Sequence, residues 1–335
     1  MSFEKIISDL KQNKFAPIYM LMGEEPYFID KISDYIEHNA LAEHERDFNQ
    51  TIFYGKDSNE LDIIATAKRF PMMAEKQVVI IKEAQQLSNI GAFEEYVKSP
   101  QASTILVFCH KYKKVDGRKP IGKLFKKHGV VFTSDKLRDY QLPDFIKKTA
   151  MENKLSINPK NTLLLAEYLG ADLSKIEGQI KKLKMILSEG AEITTDAIEK
   201  NIGISKEYNI FELQSALSKK DVLKAVKITN YFAKNPKTNP MVMSIAGLYS
   251  YFTKVLMVSV SKNRGNDNVI AKEIGVHPFF VKEYNIAIRN YSPGKLVKII
   301  GYLREYDLKS KGVNNTATST PHSELMKELL FKILH

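Results

Sequence analysis

Several features that define common protein classes are scarce or absent in this chain of 335 residues. A single cysteine, Cys109, excludes a disulfide framework and a zinc site with four thiolate ligands. No uninterrupted apolar run reaches about 18 residues, so we expect no membrane-spanning helix. Residues Met1 to Lys5 lack the apolar segment of a signal peptide. Together these absences favour a cytoplasmic protein without a membrane contact.

A catalytic constellation is also missing from the sequence. The seven histidines are scattered, without the spacing of metal ligands, and no Gly-x-Ser-x-Gly motif occurs. Cys109 and His110 are neighbours in a strand-like run, where adjacent side chains point to opposite faces. A structural cysteine is therefore favoured. We expect no metal, no cofactor and no active site in this chain itself.

Positive charge is abundant but unevenly distributed. The chain holds 50 Lys plus Arg against 39 Asp plus Glu, a formal net charge of +11. Residues 1–110 are acidic, with 11 basic and 17 acidic side chains, whereas residues 111–140 hold 10 and 3. Residues 209–335 hold 19 and 9. This distribution predicts modules with different partners, one of them a polyanion.

The first 140 residues alternate between strand-like and helix-like patterns. Short runs rich in β-branched and aromatic residues predict strands buried on both faces, as in a parallel sheet. These runs are Ile18–Met22, Thr51–Tyr54, Val78–Ile81, Thr104–Cys109 and Val130–Phe132. Pro26 predicts the start of one intervening helix, and the Asp57–Glu60 capping-box spacing predicts another that continues through Arg69. The pattern indicates a doubly wound α/β domain over residues 1–140.

After about residue 140 the strand pattern stops and helical periodicity takes over. Ile176, Ile180 and Leu183 lie on one helical stripe, which is typical of an amphipathic helix. We predict that the rest of the chain is helical. The fold class is therefore α/β followed by α.

The turn after the first predicted strand is where a nucleotide-binding P-loop would stand. It reads Gly23-Glu24-Glu25, and its two carboxylates would repel phosphate. The third predicted strand ends at Lys82-Glu83, where an ATPase of this architecture would have an acidic pair for magnesium. We interpret these five residues as a degenerate nucleotide site that does not bind ATP.

One segment keeps a P-loop ATPase open as an alternative. Gly117 to Lys123 has the glycine spacing and the lysine of a P-loop, although Leu124 replaces the hydroxyl that binds magnesium. The segment also follows the fourth predicted strand instead of the first. A chance match is favoured.

The segment Phe70-Pro71-Met72-Met73 follows the helix predicted to end at Arg69. Proline ends that helix and leaves large apolar side chains on a connection, and connections usually run over the surface. Exposed methionines can fill an apolar pocket of a partner. A small packing cluster under the loop is an equally compatible interpretation.

Residues 269–281 have the spacing of a helix-turn-helix motif, with Ala271 and, four residues later, Gly275. A DNA-binding regulator is the corresponding alternative function. However, the second helix would open with His277-Pro278-Phe279-Phe280, which offers few groups to hydrogen-bond base edges. Ordinary helix packing is favoured.

Taken in order, these segments resemble the delta subunit of the bacterial DNA polymerase III clamp loader. The resemblance covers nearly the whole chain and lies in Tyr19–Tyr27, Arg69–Met73 before the strand Gln77–Ile81, Leu169–Leu183, Tyr208–Leu213, Ala271–Phe279 and Tyr306–Lys309. Gly178 and the loop Asn314–Thr320 depart from the commoner family pattern.

The resemblance implies a fold, a task and partners. It implies a RecA-like AAA+ domain without a working P-loop over residues 1–140, a helical lid over 141–208 and a helical collar over 209–335. Family members bind the ring-shaped sliding clamp, the beta subunit, and help to open it. They act in a hetero-pentamer with ATP-binding and delta-prime subunits that loads clamps on primer–template DNA. The subunit thereby belongs to a DNA-directed DNA polymerase holoenzyme without being catalytic itself.

The resemblance also implies functional residues. The clamp-binding wedge falls on Phe70, Pro71, Met72 and Met73, with a methionine replacing the aromatic residue usual in the family. We expect Met72 and Met73 to enter an apolar pocket of the clamp and Phe70 to support the loop from inside. Lys309 and Lys311 of the basic collar are candidates for a position near DNA.

Overall fold

The computed structural model describes residues 1–205, 207–313 and 321–335, apart from the side chains of residues 139 and 279. The chain divides into two compact units, Met1–Leu137 and Arg138–His335. The loop Asn314–Thr320, which departs from the family pattern, lies outside the described residues.

The first unit is an α/β domain. Its elements in chain order are α1 (Phe3–Lys11), β1 (Ile18–Gly23), α2 (Pro26–Asn39), α3 (Glu43–Asn49), β2 (Gln50–Tyr54), α4 (Glu60–Ala67), β3 (Gln77–Lys82), α5 (Glu94–Lys98), β4 (Thr104–Lys111), α6 (Pro120–His128) and β5 (Val130–Ser134). The strands pair in the order β2-β3-β4-β1-β5, and every pair is parallel. The five predicted strands are confirmed.

Helices cover both faces of this sheet. On one face, residues of α4, α5 and α6 pack against strand residues such as Phe108. On the other face, α1 and α2 pack against alternate strand residues such as Val107. The central strands therefore carry apolar side chains at successive positions, which explains their continuous apolar runs. The parallel sheet with helices on both faces agrees with what the resemblance implies, and the α/β part of the fold class is confirmed.

The start of α4 differs from the prediction. The Asp57–Glu60 capping box is wrong, because Asn59 is the N-cap and its side chain accepts a hydrogen bond from Leu61 N at 2.8 Å. The helix ends at Ala67 instead of Arg69. The backbone carbonyls of Ala67 and Arg69 accept hydrogen bonds from side chains of other elements.

The second unit is mostly helical. Its elements are α7 (Leu142–Glu152), β6 (Ser156–Ile157), α8 (Pro159–Leu169), α9 (Leu173–Ile186), β7 (Glu192–Ile193), α10 (Thr195–Ile202), α11 (Ile210–Ser218), α12 (Val222–Lys234), α13 (Met241–Val260), α14 (Asp267–Ile274), α15 (Val281–Asn290), α16 (Pro293–Ser310) and α17 (His322–Leu334). The expectation that strands stop after residue 140 is wrong for β6 and β7, which form a short parallel pair. Two residues are too few to produce a strand pattern in a sequence.

Among the described helices, α13 is long and apolar enough to cross a membrane by length and composition, with a mean hydropathy of 1.4. The sequence criterion of an uninterrupted apolar run missed it because polar residues such as Ser244, Ser250 and Lys254 interrupt the run. Half of the apolar window is buried inside the protein. Leu248, Phe252 and Val255 lie in the core of the second unit. The central helix of a helical core passes the same test of length and composition.

Candidate functional site

The loop between α4 and β3 presents three large apolar side chains to solvent. Phe70 is 79% exposed, Met72 is 62% exposed and Met73 is fully exposed, while Pro71 is half-buried. A packing cluster under the loop is therefore excluded for the two methionines. The expectation that Phe70 supports the loop from inside is also wrong, because its ring points away from the core and belongs to the exposed apolar surface.

Asn49 holds the backbone of this loop from the end of α3. Its Nδ2 donates to Met72 O at 2.9 Å, and its Oδ1 accepts from Met72 N at 2.6 Å. The same Nδ2 donates to Glu45 O at 3.0 Å within α3. Asn49 is 3% exposed, so these hydrogen bonds are shielded from competing water. The amide of one side chain thus fixes both polar groups of the Met72 backbone.

A second set of polar side chains fixes the point where α4 ends. Ala67 O accepts from Thr104 Oγ1 at 2.8 Å and from Tyr96 OH at 3.2 Å. Gln77 Nε2 donates to Arg69 O and to Thr104 Oγ1. The last carbonyls of a helix have no partner within the helix. Here buried side chains from β3, β4 and α5 supply those partners, so the loop leaves the sheet in a defined direction.

Met73 has a left-handed backbone, with φ of +54°. For a non-glycine residue this conformation costs roughly 1 kcal/mol and persists only where the surroundings impose it. The adjacent Met72 backbone is held by Asn49, and the strand β3 begins four residues later at Gln77. The strain is consistent with a loop that is shaped to display its side chains.

The turn after β1 is unfavourable for phosphate binding. Gly23 has φ of +135°, and a Cβ atom there would lie 2.1 Å from Ser134 O, so glycine is required by the close approach of β5. Glu25 is buried at the N-cap of α2, where its Oε1 accepts from Tyr27 N at 3.0 Å. A carboxylate of the chain therefore occupies the helix N-terminus at which a P-loop protein binds phosphate. Glu24 beside it is exposed.

The end of β3 is equally unsuited to magnesium. Lys82 Nζ pairs with Glu37 at 3.0 Å and with Asp34 at 3.2 Å. Burial by itself would lower the pKa of Lys82, but the hydrogen bond to Glu37 and the nearby carboxylates outweigh burial and raise it. The carboxylate of Glu83 accepts from Gln86 Nε2 at 2.6 Å. The five residues interpreted as a degenerate nucleotide site thus lie at the carboxyl ends of β1 and β3, and the charge of Lys82 is balanced by Glu37 and Asp34.

The same edge contains the buried Cys109. Burial raises the pKa of its thiol to about 11, against the smaller opposing effect of a hydrogen bond with Ser33. A thiol with this pKa is protonated and unreactive at neutral pH. Within the described residues, no group of three or more His, Cys, Asp or Glu side chains could hold a metal ion.

The P-loop-like segment lies between β4 and α6. Gly122 is inside α6, where a Cβ atom would lie 2.3 Å from Asp116 O. Close packing of the helix against the preceding loop therefore explains why glycine stands at position 122. Lys123 is exposed in the first turn of α6. The degenerate ATPase alternative gains no support from this geometry.

The segment with helix-turn-helix spacing forms α14 and α15. Gly275 ends α14 in a left-handed conformation, with φ of +65°. Ala271, Ile274, Val281 and Tyr284 are buried in the core of the second unit. Ala271 and the turn at Gly275 thus allow two helices to pack together, as the residue pattern predicts. A role in DNA reading gains no support.

Lys309 and Lys311, the two candidates for a position near DNA, form ion pairs with side chains of α16. Lys309 Nζ pairs with Glu305 at 2.7 Å and lies 4.6 Å from the centre of the Tyr306 ring. Lys311 Nζ pairs with Asp307 at 2.7 Å. These carboxylates reduce the positive potential that the lysines would otherwise present to phosphate.

Sequence reasoning missed Asn49, Gln77 and Thr104. Each is a polar residue 4 to 37 positions from the backbone groups that it holds, and none belongs to a motif. The signal that could have found them is weak: Gln77 and Thr104 are polar residues at the starts of otherwise apolar strands.

Two family models match this chain, and both describe the same protein. The model described as "DNA polymerase III, delta subunit" matches residues 19–135. The model described as "DNA polymerase III delta subunit, C-terminal domain" matches residues 207–326. The first match contains both the Glu25 turn and the exposed loop.

Individual relatives agree with the family models. The chain is 28% identical over 313 residues to the DNA polymerase III subunit delta of Bacillus subtilis (strain 168), covering 90% of each chain. It is 21% identical over 308 residues to the probable DNA polymerase III subunit delta of Aquifex aeolicus, covering 88% of this chain and 86% of the relative.

A solved structure has the same overall architecture. The Bacillus subtilis DNA clamp loader delta protein superposes with a TM-score of 0.56 and 26% sequence identity, covering 99% of each chain. The sequence resemblance is therefore confirmed along both units, and the chain belongs to the family of DNA polymerase III delta subunits.

Proposed function

We propose that this chain is the delta subunit of a DNA polymerase III clamp loader, which binds the sliding clamp and helps to open its ring for loading on primed DNA. Membership of the family supports this function. The observation that carries it is the loop at residues 70–73, in which exposed apolar side chains stand on a backbone that the buried side chain of Asn49 holds by two hydrogen bonds. Such a loop is built to contact another protein.

The contact is apolar and pre-formed. Met72 and Met73 enter an apolar pocket of the clamp, and their flexible side chains adapt to its shape. Phe70, exposed beside them, covers the rim of that pocket. Because Asn49 already holds the Met72 backbone, little ordering of the loop is needed on binding, which favours affinity.

Ring opening follows from a difference in affinity. If the loop binds the open or strained clamp more tightly than the closed clamp, binding shifts the population toward the open ring. The delta subunit needs no ATP for this step. The positions of Glu25 and of the Lys82–Glu37 pair support the proposal that this chain does not bind nucleotide. ATP is therefore bound and hydrolysed by other subunits of the loader.

The proposed partners are the clamp, the ATP-binding and delta-prime subunits of a hetero-pentamer, and primer–template DNA. We assign an AAA+ domain to residues 1–140, a lid to 141–208 and a collar to 209–335. Lys309 and Lys311 are proposed to lie near DNA, with their ion pairs to Glu305 and Asp307 exchanged for phosphate. The proposed location of this assembly is the cytoplasm, where the chromosome is replicated.

The loop is tested with the double variant Met72→Ala/Met73→Ala. Loss of two buried anchors costs about 2 kcal/mol or more, so the dissociation constant for the purified sliding clamp should rise at least about 30-fold. Met185→Ala is the matched control, because Met185 is an equally exposed methionine on α9. The unfolding temperature of both variants should equal that of the wild type.

Unchanged clamp affinity of the double variant would show that the loop is not the clamp contact. Nucleotide binding is measured in parallel by titrating the isolated chain with a fluorescent ATP analogue. We expect no saturable signal, and a saturable one would contradict the assignment of a degenerate site.

A further inference from the structure

Phe48 is a second exposed aromatic residue close to the loop. It lies near the end of α3, is 72% exposed, and immediately precedes Asn49. The next element, β2, is the outermost strand of the sheet, so no further strand lies beyond it. Within the described part of the first unit, the ring of Phe48 is therefore left largely uncovered.

Asn49 holds Phe48 and the loop close together in space. Consecutive Cα atoms are 3.8 Å apart, and Asn49 Nδ2 lies 2.9 Å from Met72 O. Adding the length of the asparagine side chain places the Phe48 Cα within about 10 Å of the Met72 backbone. Two hydrogen bonds to Met72 and the burial of Asn49 fix the relative position of the two segments.

We call the four exposed apolar side chains near Asn49, those of Phe48, Phe70, Met72 and Met73, the patch. An aromatic side chain buries 150–250 Å² in a contact, and Phe48 adds this area to that of Phe70, Met72 and Met73. Contiguous apolar patches of several hundred Å² mark interaction sites. The hot spots of an interface also cluster, with aromatic residues enriched among them.

We propose that Phe48 is a second anchor of the contact with the sliding clamp and packs on the clamp surface beside the pocket that receives Met72 and Met73. This inference rests on the proposed function. The occupant is the clamp because Phe48 lies within about 10 Å of the Met72 backbone, so a partner that takes up both methionines also comes within reach of Phe48.

The test compares dissociation constants for the purified sliding clamp among full-length variants. Phe48→Ala should weaken binding about 10-fold. Leu61→Ala is the matched control, since Leu61 is 70% exposed on the same unit and stands at the opposite end of α4 from the loop. It should bind like the wild type. Phe48 packs against little of the chain, so the unfolding temperature of Phe48→Ala should not change.

The outcomes separate the inference from the proposed function. If Met72→Ala/Met73→Ala weakens binding and Phe48→Ala does not, the second anchor is refuted while the loop assignment stands. If Met72→Ala/Met73→Ala binds the clamp like the wild type, the proposed role of the loop is refuted, and the inference that rests on it is refuted as well. If Leu61→Ala weakens binding as much as Phe48→Ala, the effect is not specific to the patch and the inference is refuted.

Discussion

Asn49→Ala removes the side chain that holds the exposed loop without changing any residue expected to touch the clamp. Asn49 makes two hydrogen bonds with the Met72 backbone, at 2.6 and 2.9 Å. Each hydrogen bond contributes about 0.5–1.5 kcal/mol net, so the ordered loop loses about 1–3 kcal/mol. That range corresponds to a factor of about 5 to 150 in the equilibrium between ordered and open loop.

Amide hydrogen exchange reads this equilibrium directly. The Met72 N–H is protected by Asn49 in the wild type, so its exchange should accelerate by about 5- to 150-fold in Asn49→Ala. The affinity for the clamp should fall by up to the same factor, because binding must then order the loop. The free energy of global unfolding should fall by no more than the free energy of loop opening does.

Asn39→Ala is the matched control. Asn39 ends α2, and its Nδ2 donates to Tyr35 O at 2.8 Å, which reproduces the bond from Asn49 to Glu45 without any contact to the loop. This variant should leave Met72 exchange and clamp affinity unchanged. Wild-type exchange of the Met72 amide in Asn49→Ala would refute the reasoning that Asn49 orders the loop.

Two further predictions concern the framework that carries the site. Gly23→Ala should lower the unfolding free energy by at least about 2 kcal/mol in a denaturant titration, because its Cβ would lie 2.1 Å from a carbonyl oxygen of β5. Gly178 lies inside α9 with open space around it. Gly178→Ala should therefore raise the unfolding free energy by about 0.5–1 kcal/mol. Burial alone would raise the pKa of Glu212, but hydrogen bonds from Lys224 and Lys160 outweigh it and lower the pKa below 4.5. A lowered carboxyl pKa stabilises the fold above the unfolded-state pKa and loses this effect as pH falls. Glu212→Gln should therefore cost roughly 1 kcal/mol at pH 7, and the difference from wild type should shrink below about pH 4.5; a constant difference down to pH 3 would contradict the pairing.

The sheet was predictable because burial on both faces leaves a simple trace in the sequence. A strand covered by α1 and α2 on one side and by α4 to α6 on the other must be apolar at successive positions. The parallel pair β6–β7 has only two residues per strand, and it depends on the packing of the helices around it. No local pattern of that length distinguishes a strand from a loop.

The exposed loop was predictable in position but not in detail. Proline at 71 and the two methionines indicate a surface connection with apolar side chains. The orientation of Phe70 depends on where the backbone leaves α4, and this is set by Gln77 and Thr104. Asn49 lies 23 residues from Met72. Tertiary hydrogen bonds of this kind appear only once the chain is folded.

The charge distribution and the site are largely separate. The exposed loop lies within the acidic segment 1–110, whereas the positive charge is concentrated in residues 111–140 and 209–335. Clamp binding through apolar side chains should therefore depend weakly on salt, while any contact with DNA should weaken steeply as salt increases. The net charge of +11 therefore gives no information on the proposed contact between the loop and the clamp.

The central claim is that the loop at residues 70–73 binds the sliding clamp, and photo-cross-linking tests it most directly. A photoreactive amino acid at position 72 of the full chain, irradiated with purified clamp, should form an adduct that maps to an apolar pocket of the clamp. The same group at position 185 should form none. A stable complex in which position 72 gives no adduct, while position 185 does, would contradict the account.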